Sequence, residues 1–206
     1  MDVCSFATFY FLCKKEKFDM NRECFNVFPV LETERLVFRK IEPRDVEAVL
    51  KIYGDPKAAE YDWFSPIETE EQAMKFIVHF NKEFEEQEEI TWGIARKEDG
   101  ALIGTCCLGD FEEDARRSEI GYVLMRNEWN KGYATEAVKA LVTFGFETMN
   151  LNRIEAFVTP GNDASIRVLK KVDFLQEGIV RERDLIKGKL EDGVILAILR
   201  RDYEEK

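Results

Sequence analysis

Apolar residues alternate with polar ones from Glu34 to Arg39, the spacing of a strand in a regular pattern that begins at Leu31. Pro43 then opens a helix, with Val46, Val49, Leu50 and Tyr53 at helical spacing, and Gly54-Asp55-Pro56 closes it. Thr69 with Gln72 three residues on is a capping box. It predicts a second helix whose apolar positions are Ala73, Phe76, Ile77, Phe80 and Phe84. Strand-like runs follow at 90–96, 101–108 and 118–125, separated by Glu98-Asp99-Gly100 and by a charged turn over 112–117. A glycine turn leads into a helix over 135–149 and then a strand over 153–159. That β–turn–α–β order makes the strand at 153–159 parallel to the one at 118–125, through a right-handed crossover. After Pro160-Gly161-Asn162-Asp163 come a short helix, about 164–172, and a long hairpin, 174–186 and 189–200, around Lys187-Gly188. The pattern predicts an α/β chain of the α+β type, with a mixed, mostly antiparallel central sheet flanked by helices. No repeat and no linker divides residues 31–203, which read as one domain.

Residues 1–30 read differently. Cys4 to Cys13 is aromatic-rich and apolar, followed by Lys14, Lys15 and Lys17. The run is too short to span a membrane and lacks the basic start and small-residue cleavage site of a signal peptide. It is either an N-terminal extension that packs on the domain or on a partner, for instance in a homodimer, or upstream sequence ahead of a start at Met20.

The formal net charge of −11 argues against nucleic acid, whose phosphates require a basic surface. It suits a cationic substrate such as an amine, although such a charge also serves solubility alone. The five cysteines include no C-x-x-C pair and imply neither a disulfide framework nor a zinc site; reduced thiols in the cytoplasm are expected. His79 is the single histidine, which excludes a histidine-based metal cluster.

The candidate chemistry centres on Met125–Ala137. A strand that turns through Gly132 into a helix leaves backbone N–H groups unpaired at the helix start, and these with the helix dipole form an anion site. The Walker and Rossmann glycine patterns are both missing. No acidic set for Mg²⁺ lies near the turn, so a kinase or ATPase is disfavoured. A lone glycine before a helix could equally be an ordinary tight turn.

Four separate motifs stand in order along the chain: Glu34-Arg35-Leu36, Glu119-Ile-Gly-Tyr-Val-Leu124, Trp129-Asn-Lys-Gly-Tyr-Ala-Thr-Glu-Ala137, and Asn162-x-x-Ser165 followed by Phe174. Together, over roughly residues 31–202, they resemble the GNAT acetyltransferases, and among them the branch that acetylates the N-terminal alanine of ribosomal proteins. The resemblance implies the GNAT acyl-CoA N-acyltransferase fold, with the strands at 118–125 and 153–159 splayed at their C-terminal ends to admit a thioester. It implies an enzyme that transfers acetyl from acetyl-CoA to a primary amine, without metal, nucleic acid or membrane. The acceptor would be the N-terminal amine of a protein; a polyamine, amino acid or aminoglycoside is the alternative, as is a non-catalytic acyl-CoA-binding module.

Residue by residue, the resemblance places the pyrophosphate on the amides of Asn130, Lys131, Gly132, Tyr133, Ala134 and Thr135, with Trp129 where the family commonly has Gln or Arg. The pantetheine arm would pair with Val123, Leu124 and Met125, and an N–H of Val123 or Leu124 would serve the oxyanion. Glu119 stands where several members place a general base; alternatively it is a strand glutamate paired with Arg116 or Arg117. Leu169 occupies the position of the family's usual tyrosine acid, and the branch uses a serine one turn earlier, here Ser165, which could otherwise be a helix-start hydroxyl. Asn162 would bond the cofactor, cap the helix, or both. Arg167 would face an adenosine phosphate or solvent. Asp173 replaces the usual glycine in a left-handed turn. Tyr61, Trp63, Phe64 and Tyr122 are candidate walls of the acceptor pocket, or core aromatics. No cysteine is expected near the thioester, so direct attack by the amine is expected rather than a covalent intermediate.

Overall fold

The computed structural model describes residues 19–62 and 64–205. The apolar stretch at 4–13 and Trp63 lie outside the described residues. Eight strands form one sheet in the order β1-β2-β3-β4-β5-β6-β8-β7. They are β1 Leu31–Glu32, β2 Leu36–Arg39, β3 Glu89–Arg96, β4 Leu102–Glu112, β5 Arg117–Leu124, β6 Arg153–Val158, β7 Leu175–Ile186 and β8 Lys189–Leu199. Every neighbouring pair is antiparallel except β5 and β6. The helices are α1 Val46–Tyr53, α2 Glu70–Glu85, α3 Tyr133–Glu147, α4 Asp163–Lys170 and α5 Arg200–Glu204.

Period-two alternation in the strands sorts the apolar residues into two layers. On β5, Ile120 and Leu124 join the larger core, with Val138, Leu141 and Val142 of α3. Val123 points the other way, against the cluster of Ile52, Phe64, Ile77 and Phe80 beneath α1 and α2. The expected capping box forms at the head of α2: Thr69 accepts from the Gln72 N–H, and the Gln72 side chain accepts from the Thr69 N–H. Pro43 starts a single 3-10 turn before α1 proper. β4 runs on past the expected end at 108 because it continues through a bulge, where Asp110 takes a positive φ of 48°.

The segment ahead of β1 packs on the sheet. Met20 and Phe25 are buried in the larger core, and the Trp92 indole N–H donates to the Pro29 carbonyl at 2.7 Å. Phe25 lies against Phe84 and Phe111.

What positions the site is the β5–β6 junction. The pair is in register only from Arg117–Glu119 to Arg153–Glu155. Beyond Glu119 the strands part, and the β6 side of β5 has no strand partner among the described residues.

Candidate active site

The glycine turn lies at the end of β5, on the larger-core side of the sheet. A 3-10 turn over Arg126–Glu128 leads to Asn130 at φ 61° and Gly132 at φ 83°, and α3 begins at Tyr133, two residues before the expected start. Left-handed φ at two positions within three residues sharpens the turn, and only glycine adopts it without cost at 132. The first intrahelical bond runs from the Glu136 N–H to the Gly132 carbonyl, and no side chain caps the helix. The N–H groups of Tyr133, Ala134 and Thr135 therefore have no carbonyl of their own helix to meet.

Charged side chains brace this turn from outside. Arg35 donates to the Lys131 carbonyl at 2.9 Å and to Glu136 at 2.7 Å, and its guanidinium lies 4.5 Å from the centre of the Tyr133 ring. Burial opposes charge on Glu136, but hydrogen bonds from Thr33 and Arg35 outweigh it and hold the carboxyl below its ordinary range. Buried Glu128 receives Arg96 at 3.1 Å and Lys131 at 3.0 Å. The Lys131 side chain is thus engaged away from the turn, and what the turn offers an anion is its main chain. Arg35 belongs to a motif already noted in the sequence; its bracing role was not visible there.

Main-chain direction along β5 follows from one bond. The Met125 N–H donates to the Ile103 carbonyl, so by alternation the N–H groups of Val123 and Gly121 also face β4. Those of Leu124, Tyr122 and Ile120 face the gap. Of the two expected oxyanion donors, Leu124 has its N–H on the gap side. Its carbonyl accepts the Trp129 indole N–H at 2.9 Å, which ties the strand end to the turn.

Across the gap stands the head of α4. Asn162 is its N-cap and accepts from the Ser165 N–H at 3.2 Å. The Ser165 hydroxyl is 2.8 Å from the Tyr122 hydroxyl, a contact that sequence reasoning did not foresee. Burial pushes the Tyr122 phenol up to about 12, against the opposing hydrogen bond with Ser165. Leu169 is fully buried in the core, and Arg167 is exposed. Asp173 adopts the left-handed turn at φ 65°.

A cavity of about 550 Å³ runs through the gap, from Asn162 and Ser165 to the opposite face between α2 and the β7–β8 hairpin. Tyr61, Phe64 and Tyr122 line it together with Glu119; Phe64 is also packed against Tyr53. Glu119 is raised above its ordinary value by burial, and the Arg183 charge at 2.9 Å pulls in the opposite sense. The expected ion-pair partners of Glu119 are corrected: Arg117 binds Asp110 and Glu155, and Arg116 bonds to Asn150. Arg183 reaches Glu119 because β7 bulges between Val180 and Asp184 and its guanidinium lies 3.4 Å from the Phe157 ring centre. Gly193 leaves room for this; a Cβ there would come within 3.0 Å of Arg183.

Two further features escaped the sequence. Glu89, Gly109 and Glu119 are register partners on β3, β4 and β5, so two carboxylates share one face of the sheet with a glycine between them. Glu89 accepts from the Thr91 hydroxyl. Cys106 lines the cavity, and so does Cys107, on the same face two residues along β4. Burial raises its thiol well above the usual range, so it is held protonated and poorly nucleophilic. Period-two alternation should have flagged one of the adjacent pair Cys106-Cys107 as facing this side. Among the described residues, no group of three or more His, Cys, Asp or Glu is placed to hold a metal ion. No helix among them is long and apolar enough to cross a membrane.

Comparison with known proteins agrees with this geometry. The family model for the acetyltransferase (GNAT) domain matches residues 35–175, more than half of the chain. The N-acetyltransferase p20 of Bacillus licheniformis, itself uncharacterized, is 39% identical over 173 residues, covering 84% of this chain and 97% of that protein. The spermidine N(1)-acetyltransferase of Escherichia coli is 24% identical over 165 residues, covering 80% and 86%. A GNAT-family acetyltransferase from Bacillus anthracis superposes with a TM-score of 0.74 at 29% identity, covering 84% of this chain and 99% of that one. With the splayed parallel pair and a left-handed glycine turn at its mouth, the chain belongs to the GNAT family of acetyl-CoA-dependent N-acetyltransferases.

Proposed function

We propose that this enzyme acetylates a primary amine on a small cationic molecule, by direct attack of the amine on the thioester. The observation that carries this reading is the charge of the cavity. Asp62, Glu89, Asp110, Glu119 and Asp184 line it, and Arg183 is the only lysine or arginine among its described lining residues. Arg183 is already engaged with Glu119 and Asp184. A cationic amine is drawn into such a pocket, and an acidic acceptor is repelled.

Acetyl-CoA would enter from the other face. The amides at Asn130, Lys131, Gly132, Tyr133, Ala134 and Thr135 would hold its pyrophosphate, and the gap side of Val123–Met125 would receive the pantetheine arm. The Leu124 N–H would meet the oxyanion. Amines arrive as ammonium ions, so one proton must leave before attack. Glu119 takes it, directly or through a water molecule. Its raised affinity for protons suits a base working near neutral pH. Ser165, with Asn162 fixing the helix head, would donate to the departing sulfur.

A Bacillus subtilis relative, 28% identical over 182 residues, is named for a ribosomal acceptor, which favours a protein N-terminus as the second reading. The two are separated by measuring thiol release from acetyl-CoA with a diamine, a neutral-tailed monoamine and peptides with free N-termini. A kcat/KM for the diamine at least about ten-fold above the monoamine, falling with added salt, is expected. Preference for a peptide would replace this reading with the second. CoA binding without turnover of any amine would leave only a non-catalytic acyl-CoA-binding module.

A further inference from the structure

Leu169 leaves α4 without a phenol, yet a phenol stands beside Ser165 from another direction. Tyr122 projects from β5 toward α4, and its hydroxyl lies 2.8 Å from Ser165 Oγ and 3.3 Å from the Ser165 carbonyl. Both side chains line the cavity. We propose that Tyr122 is a positioning and proton-relay residue that works through Ser165, replacing from the sheet the acid that α4 lacks.

The inference rests on Ser165 being the donor to sulfur. It addresses a weakness in that role. A serine hydroxyl ionises far above a thiol, whose ordinary value is about 8.5, so serine alone is a poor source of a full proton. Even pushed up to about 12 by burial, the Tyr122 phenol is a closer match to the thiol than a serine hydroxyl is. The arrangement of donors permits the hand-over. When the Tyr122 O–H donates to Ser165 Oγ, the serine's own hydrogen is free to point at a third atom. The Ser165 main chain is held meanwhile by Asn162 Oδ1 at 3.2 Å. The buried phenol is kept protonated at neutral pH, so the relay starts loaded.

The proton count closes. Glu119 passes the proton it took from the ammonium to solvent; the amine nitrogen then forms the new C–N bond and loses a second proton to Glu119, which goes to solvent in turn. The C–S bond breaks with its electron pair on sulfur. Sulfur takes the Ser165 proton, Ser165 Oγ takes the Tyr122 proton, and the phenolate is reprotonated from solvent as products leave. Counted from the ammonium, two protons leave nitrogen, sulfur gains one and one is released to solvent.

Four proteins test this: wild type, Ser165→Ala, Tyr122→Phe and the double variant. The readouts are kcat, KM for acetyl-CoA, the solvent deuterium effect on kcat and thermal stability. Tyr122→Phe keeps the ring and its packing and removes only the hydroxyl. Each single variant is expected to lower kcat by about 10- to 100-fold, with KM for acetyl-CoA within about two-fold. The double variant is expected to be no slower than Ser165→Ala, since the phenol acts only through the serine. The solvent isotope effect should shrink in Tyr122→Phe. An unchanged kcat in Ser165→Ala would overturn the donor role of serine and the relay with it. A slow Ser165→Ala beside a Tyr122→Phe with wild-type kcat would overturn the relay alone. Losses that multiply in the double variant, or a raised KM with an unchanged isotope effect, would show Tyr122 to be packing only.

Discussion

The two ends of the cleft are built in opposite ways. The end proposed for the cofactor is one contiguous segment, Met125 to Ala137, which offers main-chain amides at a helix start. Its side chains serve to lock the turn: Arg35 on Lys131 and Glu136, Arg96 and Lys131 on Glu128. The acceptor end has no contiguous segment. Tyr61, Glu89, Cys107, Glu119 and Arg183 come from a loop and four strands, and meet only because the sheet has one register. An anion can be held by local backbone geometry, whereas an amine that must be held and deprotonated needs side chains from distant positions.

The largest effect is expected at the assembled end. Glu119→Gln retains size and a hydrogen-bonding group but cannot take a proton. Its kcat should fall by about 10²-fold or more, with little change in KM for acetyl-CoA. A kcat within a few-fold of wild type in steady-state assays would remove Glu119 as the base. The cofactor end should fail differently. Gly132→Val forces a β-branched residue to φ 83° and brings a Cβ within 3.3 Å of Arg35. KM for acetyl-CoA should rise about 10- to 100-fold, equivalent to roughly 1.4–2.8 kcal/mol, with the fold intact by circular dichroism. Unchanged CoA affinity by calorimetry would detach the turn from the pyrophosphate.

That contrast also sets how much was legible in the sequence. The elements were readable because each has a local signature: the Thr69–Gln72 box, the alternation of 118–125, the glycine before α3. The parallel pairing of β5 and β6 followed from their order with the intervening helix. The role proposed for the turn rests on its own backbone, a chain that passes through Gly132 into α3. Arg183 was not legible, because it reaches Glu119 through a bulge in β7 that no residue pattern announced. The pairing of Glu119 with Arg116 or Arg117 was a reading by nearness in sequence; the sheet sends Arg117 to Asp110 and Glu155 instead. Tyr122 was recognised as a wall, but its bond to Ser165 depends on how α4 packs over β5.

The Arg183–Glu119 pair gives a smaller and more diagnostic effect. Burial raises Glu119 while Arg183 lowers it. A base is active when deprotonated, so kcat/KM should rise with pH through a limb whose midpoint lies above the ordinary glutamate value of 4.5. Removing the cation takes away the lowering influence. Arg183→Ala should therefore move this limb further toward high pH, costing a few-fold in activity at neutral pH and little above the limb. A shift toward low pH, or none, would mean that Arg183 does not control the protonation of Glu119.

The smallest effect is expected at Cys107, and it decides whether the assembled end does covalent chemistry. A thiol in the wall of the cavity proposed to receive the thioester invites an acyl-enzyme. The surroundings argue against one. Burial is the main cause of its raised thiol value, nearby Glu89 adds to it, and the Gly121 main chain only partly offsets both. A nucleophile would need the reverse, a cationic or donor-rich setting that stabilises thiolate. Cys107→Ala should leave kcat within about two-fold, because the residue contributes packing and no bond to the reacting carbonyl. Mass spectrometry of the wild type with acetyl-CoA and no amine should show no added acetyl group, and initial-rate plots with both substrates varied should intersect. Acetylated Cys107, or parallel lines in those plots, would put the covalent step back and make the acceptor end a two-stage site, with Glu119 activating the amine only after the acetyl group had moved to the protein.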